Sequence, residues 1–183
     1  MNREPSPMGS DGFTIIEVLV YVVLVGVLSV VLLLNLRGAQ TNASVLERSA
    51  QGIISELRRV QVMTVSGLNF QGNAVCGYGI HYLNNSSYLI YAGGESTCST
   101  ANRNYQGAVD FSVQTVKILE VNVEFKASFN DIFFEPPDPK TFFNNSFSLS
   151  APPLPIIIGF KNQNCPSACK TISIFPSGKI DLN

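Results

Sequence analysis

Charge is what this chain has least of. Asp, Glu, Lys and Arg make up 14% of its 183 residues, against about 25% in an ordinary soluble domain. The two signs nearly cancel, to a formal net charge of −1, with neither a basic stripe nor an acidic tail. Nothing in that balance points to nucleic-acid binding driven by bulk electrostatics. Histidine occurs once, as His81 in the alternating run Ile80-His81-Tyr82-Leu83. No second imidazole exists to share a metal or complete a triad, so His81 is expected to be a hydrogen-bonded or exposed strand residue. No nucleophile elbow and no phosphate-cradling loop is present. An enzyme is therefore not expected, nor a cofactor.

Asp131, Glu135 and Asp138 offer oxygen ligands, but their spacing fits no calcium-loop template, so solvated carboxylates are expected there. Lys161, Lys170 and Lys179 make too thin a footprint for DNA, although a head that captures DNA or another ligand remains the alternative reading.

The missing charge is concentrated at the front. From Val18 to Leu34 no side chain ionises except the phenol of Tyr21. Residues 13–36 form one apolar stretch, long enough to cross a hydrocarbon core of about 30 Å at about 1.5 Å per helical residue. A secretory signal would have a shorter apolar core and a small-x-small cleavage site after it. Here Asn35-Leu36-Arg37-Gly38-Ala39 follows, so the segment is expected to stay in the mature protein. Residues 1–12 are short and polar and read as a leader.

Proline is missing from residues 13–66, and Gly67 is a natural helix stop. Ala39, Ala43, Leu46, Ala50, Ile53, Leu57 and Val60 recur at spacings of four and three, which puts them on one helix face. One helix is expected over residues 13–66: apolar all round in its membrane half (13–36), and single-striped in its amphipathic half (37–66). The stripe is small and short for a coiled coil, and docking onto a following sheet is the better expectation.

After Gly67 the period becomes that of strands. Residues 77–83 and 88–92 flank the hairpin turn Asn84-Asn85-Ser86. Val113, Thr115, Lys117, Leu119, Val121, Val123 and Phe125 alternate as one long strand over 112–125. Further strands are expected over 129–134, 147–149, 155–160 and 171–175, then a turn at Pro176-Ser177-Gly178 before 179–182. The fold class is thus α+β, a long N-terminal helix on an antiparallel β-sheet head spanning residues 67–183.

All four cysteines, Cys76, Cys98, Cys165 and Cys169, lie in that head. An even count in a non-cytosolic domain reads as two disulfides. Four cysteines allow three pairings, of which Cys76–Cys98 and Cys165–Cys169 are expected because each closes a short local loop. A zinc site is disfavoured by the distance between Cys76 and Cys98 and by the lone histidine.

The residues at the head of the apolar run are Gly12-Phe13-Thr14-Ile15-Ile16-Glu17. Thr14-x-x-Glu17 has the form of a capping box, and a carboxylate there suits the positive helix end. Yet Glu17 follows Phe13, Ile15 and Ile16, and so lies inside the apolar segment. A charge placed deep in a bilayer costs on the order of 2.5–3.5 kcal/mol and normally implies a partner.

This motif, with Val18-Leu19-Val20 after it, resembles the class III signal of type IV pilins and type II secretion pseudopilins. The resemblance covers about thirty residues. It implies that a prepilin peptidase cuts after Gly12 and methylates the amine of Phe13, and that Glu17 guides docking among other pilin or pseudopilin subunits. It further implies an inner-membrane protein with its head outside the cytoplasm, later part of an extracytoplasmic filament. The leader departs from the family in having only Arg3, set against Glu4 and Asp11. Arg37, Arg48, Arg58 and Arg59 on the other flank would by count favour the opposite orientation, whereas the cysteines place the head outside. The absence of a helix proline leans towards a minor subunit. The head is loosely similar to minor pseudopilins of the GspH/FimT type, through Phe133-Phe134-Glu135-Pro136-Pro137 and Ile174-Phe175-Pro176-Ser177-Gly178-Lys179-Ile180.

Overall fold

Nothing between Thr14 and Gly67 interrupts a helix, and in a computed structural model one forms: α1, Ile15–Val65. The structure describes residues 14–67, 69–95, 97–118, 120–136 and 140–183, with the helical backbone alone for residues 34–43. Gly67 ends the helix with φ at 61°, a left-handed conformation that glycine adopts without steric cost. The chain divides into two compact units between Asn42 and Ala43.

In the first unit, the described side chains up to Leu33 are all exposed. In the second, α1 buries one stripe. Leu46, Ala50, Ile53, Leu57 and Val60 are each at most 5% exposed, and Ile54 joins them at 4%. Docking of the amphipathic half onto the sheet therefore holds for these five positions. The first two members of the expected stripe, Ala39 and Ala43, lie outside the described side chains. Complete burial of such an aliphatic side chain is worth about 1.5–3 kcal/mol.

The head has nine described strands in two antiparallel sheets. They are β1 (Tyr78–Asn84), β2 (Ser87–Ala92), β3 (Phe111–Lys117), β4 (Val123–Phe125), β5 (Ile132–Glu135), β6 (Lys140–Phe143), β7 (Leu154–Phe160), β8 (Cys169–Ile174) and β9 (Ile180–Leu182). The first sheet has the order β3-β2-β1-β5-β6 and the second β4-β7-β8-β9. The stripe of α1 packs on both, meeting Ile80, Ile90 and Phe134 from one and Ile156, Ile158 and Ile172 from the other. Alternation along the strands sends the intervening residues to the far side of the five-stranded sheet. There Tyr91 and Phe133 form a smaller core with Cys76 and Ala101. Gly79 must be glycine at this point, because a Cβ on it would stand about 2.5 Å from the Tyr91 ring.

The expected hairpin turn is present. The side-chain oxygen of Asn84 accepts from the Ser86 amide at 2.9 Å, an Asx turn. The same turn ties the two sheets together, since Asn85 O accepts from Phe125 N of the second sheet at 2.7 Å.

Three expectations are corrected. The single strand over 112–125 is two strands in different sheets. Ile90 pairs with Gln114 while Tyr91 pairs with Ser112, so Val113 is an extra residue that breaks the two-residue period. Val116 and Ile118, not Thr115 and Lys117, then face the helix side, and Val121 is 81% exposed in the turn before β4. The strand over 147–149 does not form: Leu149 is 72% exposed, and Phe147 rests against the Phe142 ring at 5.5 Å. Instead β6 pairs with β5 in full register, a strand hidden in the sequence by the adjoining prolines. The strand expected from Phe129 starts at Ile132, and Phe129 packs its ring against Tyr82 and Phe125.

Candidate functional site

Of the three residues singled out at the N-terminus, Gly12 and Phe13 lie outside the described residues. Glu17 stands in the first turn of α1. Around it on the helix stand Ile16, Val20, Tyr21 and Leu24, which are all exposed and carry no cation to pair with a charge. The turn is closed by the main chain, because Thr14 O accepts from both Glu17 N (3.0 Å) and Val18 N (3.3 Å). The side-chain bonds of a capping box, from the Thr14 hydroxyl and back from the Glu17 carboxylate, are not formed. Glu17 thus has no side-chain hydrogen bond or ion pair among the described residues.

From Ile15 to Leu33 this helix is long and apolar enough to span a membrane, and none of it is buried inside the chain. Its 19 residues rise about 29 Å at about 1.5 Å each, close to the thickness of a hydrocarbon core. Within it, the Ser29 hydroxyl finds its partner locally, since Oγ donates to Val25 O at 2.7 Å. A helix that is apolar on every face must be covered, by lipid or by other helices. The chain is thus a candidate single-pass membrane protein.

The head's four cysteines form two bonds, Cys76–Cys98 and Cys165–Cys169, which leaves no free thiol. The first holds residues 97–110 against the far face of the five-stranded sheet. Polar contacts invisible in the sequence complete that attachment. Arg103 donates Nε and Nη2 to Glu135 Oε2 at 3.0 and 2.9 Å, gives Nη1 to Ala101 O, and stacks over Phe142 at 4.4 Å. Asp110 accepts from Gly94 N and Gln106 N, and its burial pushes its carboxyl above the usual range. Asp131 accepts from the Tyr105 amide at 2.7 Å and from His81 Nδ1 at 2.7 Å, with the His81 ring against Tyr105.

His81 is thereby a tethering residue in β1, and no hydroxyl or thiol bonds to it among the described residues. Asp131 and Glu135 are engaged separately at the two ends of β5, and Asp138 lies outside the described residues. No cluster of three or more His, Cys, Asp or Glu suited to a metal occurs among the described residues. Lys170 lies at the start of β8 beside Glu47 at 3.6 Å, and Lys179 lies directly before β9 beside Asp181 at 2.6 Å.

The chain matches no protein-family model, no curated protein and no solved structure.

Proposed function

We propose that this chain is a type IV pilin-like subunit, a minor pilin or pseudopilin, which works by packing and not by catalysis. The observation that carries the reading is Glu17: a carboxylate without a partner among the described residues, near the start of a helix otherwise apolar on all sides that follows Gly12-Phe13. A lone charge in that setting calls for a cation from outside the segment. Cleavage after Gly12 supplies one, the new amine of Phe13. In an assembly the amine of one subunit neutralises Glu17 of its neighbour, and the apolar faces cover one another. The disulfide-stapled head stands on the extracytoplasmic side and sets the surface or the tip of the filament.

Mass analysis of the membrane-extracted protein from its native host tests this directly. The expected N-terminus is Phe13, methylated, with residues 1–12 gone. A mature chain beginning at Met1, or beyond Leu36, would overturn the reading. Gly12→Val is expected to block processing, because a branched side chain crowds the peptidase at the scissile bond.

A further inference from the structure

Four strands end the two sheets of the head, and they are unequal. β4 and β9 have three residues each and β6 has four, whereas β3 has seven. Short edges resist pairing with another chain, and long ones invite it. β3 is also nearly uncharged: in Phe111-Ser112-Val113-Gln114-Thr115-Val116-Lys117 the only ionic side chain is the last.

A cleft of about 120 Å³ opens between α1 and the Lys117 end of this edge. Its walls are Ile53, Tyr88, Val116 and Ile118, and Gly52 leaves the helix side without a side chain. In its lining Ser49 is 2% exposed. Arg59 bridges helix and strand over the middle of the edge, donating Nη1 to Glu56 Oε2 and to Gln114 Oε1, each at 3.0 Å. The cleft beyond that bridge accommodates one side chain, being comparable to the roughly 150 Å³ cavity that accepts benzene.

The charges name the complement. Glu56 is neutralised by Arg59 at 3.0 Å. Lys117 is exposed, and among the described residues no carboxylate lies within ion-pair distance of it. We propose that the cleft between α1 and β3 receives an extended segment of another protein. The segment adds to β3 as a further strand, with an aliphatic side chain in the cleft and a carboxylate facing Lys117. Main-chain bonds to the edge supply affinity, and the cleft and Lys117 supply selectivity, as in other strand-addition sites. This surface lies wholly within the second unit, Ala43–Asn183, so it stands or falls independently of the filament reading.

The test uses the full chain in detergent micelles and two labelled hexapeptides of alternating threonine and valine. One carries a central glutamate and the other a lysine at that position. The glutamate peptide is expected to bind more tightly and to slow amide exchange across residues 114–118. Lys117→Glu, a change at an exposed side chain, should reverse the preference, by about two- to fivefold in affinity. Gly52→Leu fills the cleft and favours the helix, so it should fold and should weaken binding by about tenfold or more. Unchanged exchange at 114–118 with either peptide, or equal affinity in the Gly52→Leu protein, overturns the proposal. So does protection of β3 that grows with protein concentration in the absence of peptide, because the occupant would then be a second copy of this chain.

Discussion

The two parts of α1 share a backbone conformation and differ in everything their side chains meet. Between Ile15 and Leu33 no residue is buried inside the chain, although valine and leucine dominate. Between Leu46 and Val60 five apolar residues of a single stripe are almost wholly enclosed. The apolar content of the first part exceeds that of the second, so hydrophobicity alone does not decide what becomes a core. Distribution around the helix does. A stripe can be satisfied by one sheet, whereas a helix apolar on all faces needs a surrounding medium. The lesson extends to charge. In the head, Glu135 and Asp131 have partners fixed by the fold, while Glu17 has none among the described residues.

The sharpest way to separate the two parts is Glu17→Gln. If a neighbour's Phe13 amine neutralises Glu17, the amide strands a buried positive charge, a loss of about 3–5 kcal/mol. The variant is expected to be made, inserted and cleaved, with a folded head, yet to be absent from sheared filaments or tip complexes. Incorporation at the wild-type level would remove the assembly role of this residue. Leu57→Ala probes the other part. Leu57 is completely buried, and truncation of such a residue costs about 2–5 kcal/mol. Denaturant unfolding of the head should shift by that amount while membrane insertion is unaffected. A shift under about 1 kcal/mol would mean that the helix contributes little to the head's core.

Within the head, the two disulfides differ in reach. Cys76–Cys98 joins residues 22 apart and Cys165–Cys169 residues 4 apart. Closure entropy then gives roughly 3 and roughly 2 kcal/mol. Paired cysteine-to-alanine variants, compared by urea midpoint, should follow that order. A larger loss at Cys165–Cys169 would contradict it.

The smallest effect concerns alkaline pH. Burial raises the phenols of Tyr78, Tyr88 and Tyr91 above the ordinary value of 10.0. A raised folded-state value means that the neutral phenol is favoured by folding. The stabilisation is fully present below pH 10 and is lost as the pH rises through the folded-state values. Absorbance at phenolate wavelengths should therefore show these three ionising together with loss of near-ultraviolet dichroism. Ionisation of all six tyrosines with the dichroism intact would refute it.

How much of this was legible beforehand follows the range of the interactions. The stripe from Leu46 to Val60, the hairpin at Asn84-Asn85-Ser86 and the stop at Gly67 were readable because each depends on residues a few positions apart. Phe111–Lys117 and Val123–Phe125 were misread as one strand, because alternation shows period but not which neighbour a strand will choose. The bulge at Val113 arises only when β3 pairs with β2. β6 was hidden because four residues beside a proline run carry too weak a pattern to stand without β5.

By itself, then, the sequence determined the elements whose physics is local: an uninterrupted helix, its apolar length, the face it would bury, and the place of Glu17 within an apolar run. Only the tertiary structure decided the division into two sheets, the seating of Arg103 on Glu135, and the cleft between α1 and β3. Each of those joins residues far apart in the chain. Their contacts become favourable only after the intervening loops have closed and their entropy has been lost, and no spacing of residue types records that balance.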